Sequence, residues 1–412
     1  MISVEEATSL IHSAFQPLPA EIVSLDSALG RVLAADVSSR VTQPPADVSA
    51  MDGYALRAAD AGEGARLHLI GRSVAGGGFA ARWLPGETVR IFTGAPVPSG
   101  ADAILIQENA EVRKAKGDEE TEIIVHVPPK PGQHIRRRGE DFSAGDVLLH
   151  AGRRLSARDV ALAAAMNVPW LSVRRRPRVA ILATGDELVM PGEPLGPDRI
   201  VNTAGFLAAA EVQSCGAVTQ MLGIAGDEVR ALETRLAEAE GADLLLTIGG
   251  ASVGDLDLVP STLAALGFEF AFHKVAMRPG KPLLFGHLGR MPVLGLPGNP
   301  VSAGVILLLF VRPAIEAMLG LSTHQPLPTA RLGAPLPANG IRQDYVRARL
   351  QRNSDGAPVA TPLPVQDSAH LHAFAQAECL IVRSPSAPAV DTGERVSVML
   401  LDQPAFSGTP PA

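Results

Sequence analysis

With 412 residues, 46% of them hydrophobic and 19% charged, the chain is too long for one ordinary core and too apolar for a disordered or collagen-like polymer. A formal net charge of −7 argues against a general nucleic-acid binder, and 4% aromatic residues leave little for a base-stacking surface. Cys215 and Cys379 alone cannot form a disulfide framework or a thiolate metal site, which fits a reducing compartment.

Roughly two to four domains are expected. Residues Met1 to Leu10 lack a basic region followed by an apolar stretch, so no signal peptide is expected. The apolar run Val305 to Val311 is far short of the roughly 20 residues that cross a bilayer. A cytoplasmic protein without membrane attachment is expected.

Ser3 can cap a first helix carrying Glu5, Glu6, Leu10, Ile11 and Phe15, and Leu25 to Ala35 reads as a second. From Thr42 to Leu149, short runs punctuated by Gly and Pro, such as Val89 to Phe92 and Glu122 to Val127, read as a β-rich domain. Ala157 to Met166 is one more helix, and Arg174 to Arg178 a basic linker. Between Val179 and Gly320 strands alternate with helices, the pattern of a mostly parallel sheet. Its strands are placed at Val179 to Ala183, Val218 to Ile224, Asp243 to Ile248, Glu269 to Ala276 and Met291 to Leu296. Asp227 can cap the helix Glu228 to Glu240, and Asn299 with Pro300 opens a last helix reaching about Leu319. Short strands at Tyr345 to Leu350, Leu380 to Val382 and Arg395 to Leu401 make a small C-terminal β domain. The division is 1–45 plus 142–177 (helical linker domain), 46–141 (β-rich), 178–322 (α/β), 323–405 (small β) and a frayed tail, 406–412.

Three Gly-rich loops follow strands: Thr184-Gly185-Asp186-Glu187, Gly249-Gly250-Ala251-Ser252-Val253-Gly254-Asp255-Leu256-Asp257, and Pro297-Gly298-Asn299-Pro300. In an open α/β sheet such carboxyl ends bind ligands, and small residues let a phosphate reach backbone amides. Glu187 and Asp257 beside phosphate pockets call for an intervening cation, and magnesium suits few carboxylates plus phosphate oxygens. Asp227 either joins them or is an ordinary cap. The loop Arg278-Pro279-Gly280-Lys281-Pro282 holds two cations suited to an oxyanion, or is a solvated turn. In the β-rich region Asp52-Gly53 is read as a tight turn projecting Asp52, and Thr93 offers a hydroxyl on a stiff turn. Arg136 to Arg138, before Glu140 and Asp141, is by itself a solvated face. His370 and His372 alternate as on a strand and are taken as structural. No HExxH or Walker A pattern occurs.

Taken together, SAMDGYA (Ser49 to Ala55), TGAPVP (Thr93 to Pro98), RRRGED (Arg136 to Asp141), TGDEL (Thr184 to Leu188), GGASVGDLD (Gly249 to Asp257), RPGKP (Arg278 to Pro282) and PGNPVS (Pro297 to Ser302) resemble the molybdopterin molybdenumtransferases, the family of bacterial MoeA and the gephyrin E domain. The resemblance implies a homodimer of four-domain subunits whose cleft joins the α/β domain of one subunit to the β domain of the other. It also implies the reaction: molybdate and adenylylated molybdopterin react with Mg2+ to give molybdenum cofactor and AMP. Asp52, Thr93, Asp141, Glu187, Asp227 and Asp257 then look catalytic, with Glu187 and Asp257 on the metal. Arg278, Lys281, Pro282, Arg347 and Ser368 look like the molybdate cleft. Thr184, Gly185, Gly249, Gly250, Ser252, Gly254, Pro297, Gly298 and Asn299 form the pterin and phosphate loops. Contacts with the molybdopterin adenylyltransferase and molybdoenzyme maturation proteins are expected, with no nucleic acid and no membrane.

Three positions depart from the family pattern: Ala251 where Val is usual, Arg278 where many members carry Lys, and Asp367 where Gly usually precedes Ser368. Two other readings compete. Adenylylation of molybdopterin predicts a GGTG loop and an Arg-Asp pair in place of GGASVGDLD, and a non-catalytic scaffold keeps the fold without needing the acids or Arg278 and Lys281.

Overall fold

The computed structural model describes residues 1–114, 121–226, 228–250, 258–322 and 326–401. Two units emerge: Asp36–His150 with Ala157–Leu171, and Met1–Ala35 with Ala151–Ser156 and Ser172–Ala412.

The smaller unit is built on a six-stranded sheet in the order Ala103–Ile106, Gly53–Leu56, Glu87–Ile91, Arg66–Ser73, Thr121–Val125, Ala110–Lys114. All neighbours are antiparallel except the parallel pair Arg66–Ser73 and Glu87–Ile91. Tyr54, Leu56, Leu67, Leu105, Ile123 and Val125 fill one core of this sheet.

The larger unit begins with the helix Val4–Ser13, where the Ser3 side chain accepts from the Glu6 amide as expected. The helix expected over Leu25 to Ala35 does not form. A 3-10 turn covers Leu25–Ser27, Gly30 takes φ +74°, and the chain then runs extended, with Leu33 donating to the Arg153 carbonyl. A left-handed glycine ends helical propagation, and the buried Val32 and Leu33 are placed by backbone pairing instead.

The α/β sheet has the order Val218–Ala225, Arg178–Thr184, Leu244–Ile248, Met291–Leu296, Leu284–Leu288, Phe268–Phe272. The first four are mutually parallel, and Leu284–Leu288 runs antiparallel to both neighbours. That strand has no counterpart in the sequence reading. The strand expected to reach Ala276 ends at Phe272. Leu244–Ile248 is buried along its whole length, as a strand covered on both faces must be. The expected helix near Glu228 spans Val229–Ala237, with Glu228 at its cap position and no side-chain capping bond.

The last helix runs Pro300–Met318 with a π-helical turn at Leu307–Val311. At 19 residues it is long and apolar enough to cross a membrane, where the run Val305 to Val311 alone is not. Val301 to Phe310 are buried, however, and Ala303 and Val305 to Phe310 share a core with Ile11, Ile181 and Leu246, so the apolar surface is occupied by the domain interior.

The C-terminal strands close on themselves. Gln343–Arg352 pairs with Pro358–Pro362 and Cys379–Arg383, Cys379–Arg383 with Arg395–Leu400, that strand with Thr329–Leu332, and Thr329–Leu332 with Pro358–Pro362. A closed five-stranded barrel results, which leaves no long sheet edge. His370 and His372 are not on a strand: they flank the start of the short helix Leu371–Ala375.

Candidate functional site

The glycine loops meet at the carboxyl ends of three adjacent parallel strands. A Cβ on Gly249 would lie 2.4 Å from the Thr184 carbonyl oxygen, and one on Gly250, at φ +59°, 2.5 Å from Val259 Cγ2. The Gly249 amide donates to the Leu296 carbonyl at 3.0 Å, and Gly298 lies against the Gly249 Cα. Thr184, Gly185, Gly249, Gly250, Pro297 and Gly298 are thus one surface. Only residues without side chains permit such close approach of three loop backbones.

Glu187 stands on this surface. Its carboxylate folds over Gly185, at φ +141°, so closely that a Cβ there would fall 2.4 Å from Oε2. The Glu187 carbonyl accepts from the Ile200 amide at 2.8 Å, fixing the segment after the strand. Asp227, Ser252, Gly254 and Asp257 lie outside the described residues. Among the described residues no three His, Cys, Asp or Glu side chains gather to hold a metal. Magnesium suits a site of few carboxylates completed by phosphate oxygens and water, and Glu187 is a carboxylate placed for such a site.

Asn299 begins the last helix, yet its side chain makes no capping bond. Instead its amide donates to the Ser368 hydroxyl at 3.3 Å, while the Val301 amide donates to the Ser368 carbonyl at 3.2 Å. The segment around Ser368 also holds Arg347, whose Nη2 donates to the Asp367 carbonyl at 3.3 Å. Arg347 is only 1% exposed, and its Nε has no hydrogen-bond partner. Burial pushes its guanidinium below the ordinary arginine range; Asp367 opposes that and Arg278 adds to it. Met277–Arg278 pairs in parallel with Gln343 and Asp344, fastening the RPGKP loop to the strand that carries Arg347. Arg278 and Lys281 are exposed, and Pro282 is half-buried beside them. Asp344, next to Arg278 in register, has its carboxyl pushed up by burial against the pull of Arg278, Arg342 and Arg383. Hydrogen bonds thus link the last glycine loop through Asn299 to Ser368, the neighbouring Asp367 carbonyl meets the buried Arg347, and the strand of Arg347 pairs with Arg278.

The smaller unit gathers its own three motifs. The Ser49 amide donates to the Ala95 carbonyl, the Gly94 amide to the Ser49 carbonyl, and the Ala50 amide to the His134 carbonyl. The Asp52 carboxylate accepts from the Thr93 amide at 2.7 Å and its hydroxyl at 2.8 Å. These bonds, the amide first, hold Asp52 below the usual carboxylate range. The glycine after Asp52 is not a turn residue. Gly53 starts a central strand, where a Cβ would fall 2.0 Å from the Leu105 carbonyl oxygen. Nor is the arginine run merely solvated: Arg137 Nη1 reaches Asp47 Oδ2 at 2.6 Å and the Arg138 amide donates to Asp47 at 2.8 Å. Asp141 is exposed, its amide donating to the Gln43 carbonyl at 3.1 Å.

Two features escaped the sequence. Gln366 bonds the backbone of Arg347 at both its amide and carbonyl. A cavity of about 480 Å3, lined by Glu21, Arg175, Arg176, Arg178, Val218 and Gln220, lies at the opposite, amino-terminal end of the sheet. Arg175 there is engaged by Asp243 at 2.8 and 2.9 Å.

Residues 2–167 match the family model of the MoeA N-terminal region (domains I and II), 180–317 that of a probable molybdopterin binding domain, and 329–401 that of the MoeA C-terminal region (domain IV). A molybdopterin molybdenumtransferase of Haemophilus influenzae is 34% identical over 402 residues, covering 97% of this chain and 98% of that one. One from a Nostoc species is 37% identical over 365 residues, covering 85% and 82%. The crystal structure of a molybdopterin biosynthesis MoeA protein from Pyrococcus horikoshii superimposes with a TM-score of 0.83 at 30% identity, over 98% of this chain and all of that one. The chain belongs to the MoeA family, the molybdopterin molybdenumtransferases, and is a transferase of molybdenum cofactor biosynthesis.

Proposed function

We propose that the molybdenum acceptor is adenylylated molybdopterin, that molybdate is the donor, that Mg2+ assists and that AMP is released. The observation that carries this reading is the continuity of the glycine loops with Ser368, Arg347 and Arg278 through the Asn299 to Ser368 bond. Backbone amides at strand ends suit a pyrophosphate. A buried guanidinium with an unpartnered Nε, beside an exposed arginine and lysine, suits a tetrahedral dianion.

In this reading Glu187, with Asp257 and Asp227, holds the divalent ion against the phosphates, and Thr184, Gly185, Gly249, Gly250, Ser252, Gly254, Pro297, Gly298 and Asn299 seat the nucleotide-activated pterin. Magnesium, when bound, would neutralise pyrophosphate charge as AMP departs. Arg278, Lys281, Pro282, Arg347 and Ser368 orient the oxyanion. Asp52 enters the reaction already ionised, because Thr93 supplies two donors to its carboxylate, and Asp141 contributes a second acid. The four-domain division, a homodimer, a cytoplasmic location, and contacts with the molybdopterin adenylyltransferase and molybdoenzyme maturation proteins belong to the same proposal and rest on family membership.

The test is incubation with adenylylated molybdopterin, molybdate and magnesium, following AMP release while each component is omitted in turn. AMP release that persists without molybdate or without magnesium counts against the reading. Consumption of ATP would instead favour the adenylylation activity.

A further inference from the structure

We infer that Gln366 is a positioning residue for the oxyanion site. It acts through Arg347 and Ser368 and touches no substrate itself. The inference rests on the proposed role of Arg347 and goes one step beyond it. The Gln366 Oε1 accepts from the Arg347 amide at 3.0 Å, and its Nε2 donates to the Arg347 carbonyl at 2.9 Å and to the Leu363 carbonyl at 2.8 Å. One side chain therefore imitates a neighbouring β-strand at a single residue. The Leu363 amide adds a further bond to the Arg347 carbonyl at 2.9 Å. Gln366 thus fastens the whole 363–369 segment to the strand at the position of the buried arginine.

The consequence is geometric. With Gln366 locked, the Asp367 carbonyl sits 3.3 Å from Arg347 Nη2 and occupies that corner of the guanidinium, while the buried Nε has no partner. Ser368 follows directly and is held from the other side by Asn299 and the Val301 amide. The Asp367 carboxylate accepts from the Ala369 amide at 2.8 Å, closing the turn on its own side chain. A carboxylate in the place where the family usually has glycine is therefore tied into the turn. Fixed donors serve an anion better than mobile ones, because their ordering is complete before it binds.

The test uses the full-length protein and binding of molybdate alone by calorimetry, alongside the kinetics of molybdenum insertion. Gln366→Ala is expected to weaken molybdate binding about tenfold, the loss set by two or three backbone bonds. The half-saturating molybdate concentration should rise by the same factor, with that for the pterin substrate unchanged. Gln366→Glu keeps the acceptor but loses the donor, so its defect should shrink on acidification as the carboxyl regains a proton. Arg347→Ala is the control. If Arg347→Ala still binds molybdate normally, the site reading itself fails. If Arg347→Ala loses binding while Gln366→Ala keeps it, the positioning role alone is wrong. Equal loss of affinity for both substrates in Gln366→Ala, with no recovery of Gln366→Glu at lower pH, shows a merely structural glutamine and overturns the inference.

Discussion

Asp52 and Arg347 are opposite solutions to holding a charge. Asp52 sits in a half-exposed loop and is satisfied in advance, its carboxylate taking two bonds from Thr93 and staying ionised below the usual range. Arg347 is buried, one nitrogen has no partner, and among the described residues no carboxylate lies within ion-pair distance of it. Its surroundings disfavour the charge they contain. The acid is satisfied without a ligand, whereas the guanidinium keeps one donor unused, the donor that the proposed reading offers to an anion. Preorganisation therefore means different things at the two places: for Asp52 a finished hydrogen-bond set, for Arg347 a fixed incomplete one.

The largest effect expected from breaking this comparison is on the acid. Asp52→Ala should lower the rate of molybdenum insertion by about 10³-fold, within the range for loss of an acid–base group. The thermal midpoint should barely move, since the side chain bonds only an exposed turn. A variant with a normal rate removes Asp52 from the chemistry.

Next is Arg347→Met. Removing a buried charge that lacks a partner relieves desolvation, and a side chain of similar size keeps the packing, so stability should hold or rise. Affinity for molybdate should fall about a hundredfold, because a desolvated charge-assisted contact is lost. Calorimetric binding and thermal melting together decide the matter. A marked drop in the melting temperature would show that Arg347 is structurally satisfied in the free protein.

How much of this was legible follows from where the information lies along the chain. The glycine loops are contiguous motifs, and their close approach needs only parallel strands in sequence order, so their convergence was readable. The reason for a glycine was less so: Gly53 looked like a turn residue, whereas the constraint is the Leu105 carbonyl on a neighbouring strand. Asn299 had the composition of a helix cap, yet its amide is drawn to Ser368, 69 residues away in sequence. Gln366 carries no local signal at all. Its role depends on barrel closure bringing residue 347 beside residue 366, and such pairing is invisible to periodicity.

A smaller effect sharpens the acid side. Thr93→Val removes the hydroxyl bond to Asp52 and leaves the backbone amide, the larger cause of the lowered pKa. The Asp52 pKa should rise part of the way back to the ordinary carboxylate value. A depressed acid stabilises the fold above its unfolded pKa, and that contribution fades as pH falls through the folded pKa. In the variant the acid limb of the pH–rate profile should therefore move to higher pH. An unmoved limb would show that another group sets it.

The smallest effect concerns an exposed carboxylate on the basic side. Asp367 supports the charge on Arg347 but opposes an incoming dianion, and it is exposed, so either influence is worth less than about 1 kcal/mol. Asp367→Gly removes the repulsion and also the bond to the Ala369 amide that closes the turn. Because Gln366 and the Val301 amide still hold the segment, the electrostatic change should dominate, tightening molybdate binding about threefold at low salt. Raising the ionic strength should shrink that gain, since exposed charges are screened within about 10 Å at 0.1 M salt. Weaker binding at every salt concentration would mean that the turn closed by Asp367, rather than its charge, governs the site.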